Sequence, residues 1–448
     1  MDPERGIATP AVFAGVVAGL MVASTFRQGA FYPADAGLVL VVSLAVGTAL
    51  LFTRPDRRSV AVVAAVGALA LWWLIRALAQ GRTGSFLPLG ASMVGFAAAF
   101  LATRRLADKY RVLATQLVVG VGAVSSGAGL LATTARWYPL AMPAQNLWRL
   151  STTLTYSNAA GALLAVALLV GLGLEQRAHT TQLMVCLCAA GLVATQSRGA
   201  VLGAIVGIVV VPMAQVRRAA VTLILGILGG LAVVATSSGP SAQPLAAAAV
   251  VVAVSLAVAL PRRAGSVRLP GAVTDRSSGA VRRRVLVLAV LAVASVGIAV
   301  GAGLVLRVPI ERRVALGSSE DRGHEWTAAF DQWRSSPLVG VGPDQILYFH
   351  AADGNYAHFS HNEYLQILAD GGLVGEALLV IAGVCVVRAV RREDVATSCA
   401  AAALVAFAVA GALDFDWHLA ALGLVGGWVA GLAGRSDSVD QVLEPPGG

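Results

Sequence analysis

The feature that most constrains this chain is the recurrence of apolar runs of about 17–23 residues, each bounded by charge. Each run is long enough to cross a bilayer as a helix, and a chain with 57% hydrophobic and 13% charged residues would expose large apolar areas in water. The sequence therefore predicts an all-α, polytopic transmembrane helical bundle of about 12–14 spans. The predicted spans are 8–25, 35–53, 59–79, 86–103, 112–133, 157–174, 180–196, 199–214, 219–236, 244–260, 285–306, 371–390, 396–412 and 417–433.

The distribution of arginine predicts how this bundle is oriented. The formal net charge is +9, and translocation disfavours positive charge in short outside loops. Most basic residues fall in inside segments if the N-terminus is inside, so both termini are predicted to be cytoplasmic. The same rule explains the basic loop 261–284 as a flexible connector, and we therefore predict no nucleic-acid partner.

One long interval between apolar runs, 307–370, carries dense and varied polar chemistry, including four of the six histidines. The alternation of inside and outside segments predicts that it is one large outward-facing loop containing short helices. The chain then divides into N-terminal transmembrane helices (1–148), central transmembrane helices (149–306), an extracytoplasmic catalytic loop (307–370), C-terminal transmembrane helices (371–434) and a disordered cytoplasmic tail (435–448).

Within this loop, the segment from Ser318 predicts a helix followed by a turn. A serine cap precedes acidic residues, and the stretch PLVGVG ends the element. Trp326, Phe330 and Trp333 would form one apolar face that lies on the protein body or on the membrane surface. Arg322 would lie on a different face, where a solvated helix charge and a functional cation are equally good interpretations.

The second polar element of the loop contains His358 and His361, which are three residues apart and would share one face of a helix. The chain has no HExxH motif and no third ligand at a recognised spacing, so we predict no metal and no cofactor. A histidine that titrates near neutral pH beside the bilayer suits general-base or proton-relay chemistry. Asn362 offers hydrogen bonds, and Gly371-Gly372 is expected to end this short helix before the next span.

Arg198 is a cation within a long apolar run that is broken only at 195–199. Because a charge is costly against lipid, Arg198 should face a polar cavity or the outer interface. It is either a snorkelling residue in a tight hairpin or an anion clamp, since guanidinium binds phosphate bidentately and the next span begins with a helix N-terminus. For Arg76, near the end of its own span, we favour snorkelling or an internal ion pair.

From Arg149 to Trp417 the chain resembles the O-antigen ligase and O-antigen polymerase superfamily of bacterial membrane glycan transferases. The resemblance rests on five motifs. The first is similar to a family segment with an asparagine entering a span, RLSTTLTYSNAAGALLA (149–165), and the second to a membrane-embedded arginine motif, TQSRGA (195–200). The others are similar to the arginine, tryptophan and GxG stretch of the large outer loop, DRGHEWTAAFDQWRSSPLVGVGPDQ (321–345), the HN-x-YL signature, SHNEYLQILADGGLVG (360–375), and a final-span motif, LDFDWH (413–418).

The resemblance implies a metal-independent glycosyltransferase of the bacterial cytoplasmic (inner) membrane. It would move a glycan from an undecaprenyl-diphosphate-linked donor to an acceptor hydroxyl of a glycan or glycolipid, at the outer face of the bilayer. By analogy, Arg198 and Arg322 would hold the diphosphate and His361 would activate the acceptor. His358 and Asn362 would assist or orient it.

Asp414, Asp416 and His418, at the outer end of the last span, would form either a structural ion pair or part of the site. Two alternatives to a ligase stay open at this point. One is a polysaccharide polymerase of the same superfamily. The other, from a different class, is a polysaccharide transporter or flippase, which would place ionisable residues at mid-bilayer on broken helices in matched halves.

Overall fold

The computed structural model describes residues 3–53, 55–144, 147–174, 179–237, 318–345, 348–350 and 355–434. These residues form a helical bundle with two short β-hairpins. Six helices are long and apolar enough to cross a membrane, and six shorter apolar helices accompany them. The predicted all-α polytopic bundle is thus confirmed. The predicted spans 244–260 and 285–306, the connector 261–284 and the tail 435–448 lie outside the described residues.

The helices follow the predicted apolar runs closely. The first five are α1 (Pro3–Phe26), α2 (Pro33–Leu51), α3 (Arg57–Ala79), α4 (Leu87–Arg104) and α5 (Asp108–Ala135). After a hairpin of β1 (Ala141–Ala144) and β2 (Leu147–Leu150) come α6 (Ser157–Gly171), α7 (His179–Ala194), α8 (Arg198–Val210) and α9 (Met213–Thr236). The last described elements are α10 (Ser318–Ser335), the antiparallel strands β3 (Tyr348–His350) and β4 (Asn355–Ala357), α11 (Glu363–Ala389), α12 (Val395–Gly411) and α13 (Ala420–Leu432).

Helices α6 and α13 lie at the centre of the bundle, and nearly all of their residues are buried. Helix α13 packs closely on α4, and a side chain at Gly427 would overlap the carbonyl group of Phe96. Small residues allow membrane helices to approach in this way, because the backbones themselves can then come into contact. The apolar composition of both helices therefore reflects burial in protein rather than exposure to lipid.

Helix α10 is present as predicted, but a different face of it is buried. Glu325 and Ala329 are 2% and 0% exposed, and Ala329 packs with Ala369 of α11. Phe330 is 39% exposed, and its ring lies against Trp333 with 5.0 Å between centroids. The face of α10 that carries Trp326, Phe330 and Trp333 is therefore not the face that packs on α11.

Helix α11 begins at Glu363, before the predicted boundary at 371, and is interrupted at Gly372 (φ 64°, ψ −167°). The two glycines thus end a first helical segment, as expected. The turn that follows α10 fills this break. The backbone N–H groups of Val341 and Gly342 donate to the carbonyls of Ala369 and Asp370, at 2.9 Å each.

The end of α3 also contacts the junction between this turn and α11. Trp72 Nε1 donates to the carbonyl of Gly371 at 2.9 Å, and Arg76 Nη2 donates to the carbonyl of Gly340 at 2.8 Å. Gly340 has a φ of 71°, and a side chain there would overlap the carbonyl group of Asp370. Position 340 therefore requires glycine. Arg76 thus binds a loop carbonyl, a partner that the expectation of snorkelling or an ion pair did not name.

Candidate functional site

Polar side chains from five separate segments converge at one end of the bundle. The segments are the β2–α6 junction, the turn between α7 and α8, helix α10, the residues just before α11, and the turn between α12 and α13. Each lies next to a helix end, where unpaired backbone groups and charged side chains can meet without crossing the apolar interior.

Asp414, in the turn between α12 and α13, is the acceptor that joins three of these segments. It is 3% exposed. The Tyr156 hydroxyl donates to its Oδ1 at 2.6 Å, the Asn158 amide donates to Oδ2, and Arg322 Nη2 lies 3.4 Å from Oδ2. Burial and the charges of Asp414 and Asp416 raise the pKa of the Tyr156 phenol well above its usual value, so Tyr156 stays a donor. A buried carboxylate requires such hydrogen-bond partners.

Arg149, the last but one residue of β2, extends this network towards the α7–α8 turn. Its Nε donates to the carbonyl of Thr195 at 2.9 Å, and its Nη2 donates to Asn158 Oδ1 at 3.0 Å. Burial lowers the pKa of the Arg149 guanidinium. A cation can be kept buried here because its N–H groups are hydrogen-bonded.

Two further guanidinium groups lie within electrostatic reach of Arg149. The charges of Arg322 and Arg198 act on Arg149, as does the charge of Asp414. Arg198 is the first residue of α8, its side chain is exposed, and Ser197 caps the helix by accepting from Ala200 N at 3.4 Å. The arrangement combines guanidinium groups with a helix N-terminus, and both favour an anion.

His361 forms a pair with Glu325 of α10. Its Nδ1 lies 2.7 Å from Glu325 Oε2, and the Glu325 side chain is 3% exposed. Burial acts to lower the pKa of His361, but the hydrogen bond to Glu325 and the charge of Asp414 outweigh it, so the pKa is raised. Because Glu325 occupies Nδ1, the nitrogen available to a substrate is Nε2.

The expectation that His358 and His361 share one face of a helix is wrong. Both residues precede α11, and His361 has a φ of 49°, outside the helical region. Asn362 is the N-cap, and its side chain accepts from Leu365 N at 3.0 Å. His358 is exposed and lies 3.7 Å from Asp344 Oδ1, so the two histidines have different partners.

An aromatic cluster connects the histidine to the carboxylate. The ring of Phe415 stacks on Tyr156 and Phe359, with centroids 5.0 Å and 4.4 Å apart. The His361 ring meets Phe415 edge-on at 5.2 Å. Phe415 follows Asp414 directly in the chain, so this packing fixes the position of the imidazole relative to the carboxylate.

The other two predicted residues of the final-span motif belong to a buried network. His418 Nδ1 lies 3.2 Å from Glu363 Oε2, and Trp417 N donates to Glu363 Oε1 at 2.5 Å. Asp416 is 1% exposed, and its burial, with the charges of Asp414 and Glu363, raises its pKa well above the usual value. In the described ranges, no three His, Cys, Asp or Glu side chains are arranged to hold a metal ion. Metal independence stays a prediction.

Sequence reasoning gave no role to four residues of this cluster, although Asn158 is the asparagine of the motif 149–165. Arg149, Tyr156 and Asn158 all lie in the motif that begins at Arg149, and an arginine followed by a run of polar side chains at a span entrance was the available signal. Glu325 is three residues after Arg322, a spacing that places both on one side of α10. Its partner could not be found from spacing because His361 is 36 residues away.

The fold and the site define a polytopic membrane protein with an arginine-rich and histidine-containing polar site at one end of its helical bundle. The sequence model of the O-antigen ligase family matches residues 240–380. This match confirms the resemblance described above to the O-antigen ligase superfamily, a group of ligase-type and polymerase-type membrane glycan transferases. No match was found among curated proteins.

The matched range contains Arg322, Glu325 and His361 but not Arg149, Arg198 or Asp414. The latter three reach the cluster through the fold of the surrounding helices.

Proposed function

We propose that this protein is a glycan transferase of the O-antigen ligase type. It moves a glycan from undecaprenyl diphosphate to an acceptor hydroxyl at the outer face of the cytoplasmic membrane, and both of its termini are cytoplasmic. The observation that carries this proposal is the position of Arg322, whose charge acts both on Arg149 and on His361, the partner of Glu325, at the ends of membrane helices. A cationic site next to a base is the arrangement that a transfer from a diphosphate requires.

The arginines account for the donor. A diphosphate offers several anionic oxygens, and guanidinium groups bind such oxygens in bidentate fashion. Arg322 is 29% exposed in its side chain and now contacts Asp414 at 3.4 Å. In the complex, Arg322 and Arg198 contact the diphosphate, while Asp414 and Asn158 hold Arg322 and Arg149 in place. This supports separate binding and positioning roles for the cations.

The chemistry then needs one proton transfer. The acceptor oxygen attacks the anomeric carbon and forms the new glycosidic bond, while the bond from that carbon to the diphosphate oxygen breaks. His361 Nε2 takes the proton of the acceptor hydroxyl, and Glu325 stabilises the resulting imidazolium through Nδ1. The arginines stabilise the charge that develops on the departing diphosphate. Asn362 assists by capping α11 directly after His361, and His358 assists from the rim.

Reconstitution in proteoliposomes tests this function. With an undecaprenyl-diphosphate glycan and a glycolipid acceptor, we expect a single glycan to be attached to the acceptor, with unchanged rates after exhaustive chelation of metals. Extension of the lipid-linked chain without any added acceptor would instead establish a polymerase. Movement of the donor across the bilayer with no new glycosidic bond would contradict the proposal and identify a flippase.

A change at Glu325 should alter the pH dependence of transfer. His361 acts as a base only when neutral, so the rate rises with pH through its raised pKa. Glu325→Gln removes the carboxylate that raises this pKa, and the acidic limb of the kcat profile should move to lower pH by about one to three units. The plateau should also fall, because the imidazolium is no longer stabilised.

Asp331→Asn is the matched control for this experiment. Asp331 lies on the same helix, and its side chain is 63% exposed. The profile of Asp331→Asn should coincide with that of the native protein. An acidic limb that stays in place in Glu325→Gln would contradict the role of His361 as the titrating base.

A further inference from the structure

Helices α1 and α5 border an apolar groove that the site described above does not use. The groove has a volume of about 810 Å³, which is within the range of about 300–1,000 Å³ found for ligand pockets. It extends along α1 from Ala11 to Phe26, a distance of about 22 Å along a helix. Trp428 of α13 lies at its floor, where the indole N–H donates to the carbonyl of Ala114 at 3.0 Å.

Small residues create the space. Along α1 the lining includes Ala11, Ala14, Gly15 and Ala18, and α5 adds Gly120. A Cβ atom built at Gly15 or at Gly120 meets no heavy atom within 4 Å. The groove is thus wide at both glycines, and the described part of the chain leaves it open.

The surroundings of the groove determine what kind of molecule fills it. Helix α5 is apolar enough to span a membrane, and Leu113 and Val124, which both line the groove, are 63% and 59% exposed. Water would find few hydrogen-bonding partners there, and an empty groove would lose dispersion contacts. The occupant that fits is therefore a hydrocarbon chain.

One end of the groove leads to the candidate site. After Phe26 at the end of α1, Phe31 contacts the ring of Phe359 at 6.5 Å between centroids, and Phe359 belongs to the aromatic cluster beside His361. On α5, the residue after Val124 is Ser125, whose hydroxyl lies 2.9 Å from that of Thr153. Thr153 is in the turn directly before Tyr156.

We propose that this groove binds the isoprenoid chain of the lipid-linked donor. The inference rests on the proposed function, and it assigns the apolar half of the substrate to α1, α5 and Trp428. The continuity between groove and site explains why an isoprenoid chain is favoured over a bilayer phospholipid. A chain in the groove is attached to a diphosphate that can reach the arginines.

Filling the groove tests the proposal through kinetics. Gly15→Leu and Gly120→Leu place side chains in the open space, and should raise the KM for an undecaprenyl donor about tenfold. The KM for a donor with a geranyl chain should change by less than about twofold, because that chain is too short to occupy most of the groove. Gly19→Leu and Gly127→Leu are the controls, since they too meet no atom within 4 Å but do not line the groove. Equal effects on both donors, or none, would overturn the proposal.

Photolabelling gives a readout that does not depend on transfer. Undecaprenyl diphosphate with a diazirine in its isoprenoid chain should label α1 and α5 in the native protein, and Gly15→Leu should reduce this labelling.

A phospholipid with a diazirine in its acyl chain is the competing probe. If it labels the same helices and undecaprenyl diphosphate does not diminish this labelling, the groove belongs to bilayer lipid. Labelling of the groove in a protein that transfers no glycan would contradict the proposed function and leave the groove assignment standing.

Discussion

Replacing His361 with alanine is expected to reduce kcat for glycan transfer by about 10²–10⁴, the contribution of a positioned general base. The physical reason is that the acceptor hydroxyl would then lose its proton to water. The donor should still bind, since the arginines and Asp414 are unchanged. The measurement is the initial rate of transfer in proteoliposomes, together with binding of undecaprenyl diphosphate.

His324→Ala provides the comparison for this result. His324 is an exposed residue of α10, one position before Glu325, and its replacement should leave kcat near the native value. Equal losses in both variants would show that the effect is structural. A fully active His361→Ala variant would contradict general-base catalysis by this residue.

Replacing Arg322 with alanine is expected to lower kcat by about 10²–10³, because the charge that develops on the departing diphosphate loses one of its stabilising cations. Arg322→Lys should recover only part of this loss, since an ammonium group cannot bind phosphate oxygens in the bidentate manner of guanidinium. The measurement is kcat with a diphosphate-linked donor at saturation.

Loss of Arg322 also leaves the buried Asp414 with one partner fewer, so folding must be monitored separately. The double variant Arg322→Ala/Asp414→Asn removes the carboxylate that has lost this partner and should fold, yet it should remain as slow as Arg322→Ala. Arg334→Ala is the control on the same helix, because its side chain is 67% exposed and pairs with Asp331 at 3.8 Å. Recovery of the native rate in the double variant would place Arg322 outside the diphosphate site.

The helices were predictable because their signal is local. A run of apolar residues bounded by charge predicts a span whatever surrounds it, and the described helices follow those runs. The β1–β2 and β3–β4 hairpins were not predicted, because strands of four and three residues are too short to show an alternating pattern. The break at Gly372 was predictable for the same reason as the helices, because a glycine pair that ends a helix before the next span is a local signal.

The site was predictable in its residue types and only partly in its contacts. Arg322, His361 and Asp414 carry chemistry that a motif can suggest. Their actual partners are set by tertiary packing over long sequence separations, 92 residues for Arg322 with Asp414. The two histidines were wrongly placed on one helix face because the helical spacing rule applies only within a helix. His361 lies two residues before α11 and adopts a left-handed backbone conformation.

The junction between the loop and α11 bears on how such proteins can be recombined. The carbonyl groups freed by the break at Gly372 accept from the turn that contains Gly340, and α3 binds both sides through Trp72 and Arg76. The turn, the start of α11 and the end of α3 therefore depend on one another for their hydrogen bonds. A chimaera that takes this loop from a relative therefore has to take the start of α11 and the end of α3 with it.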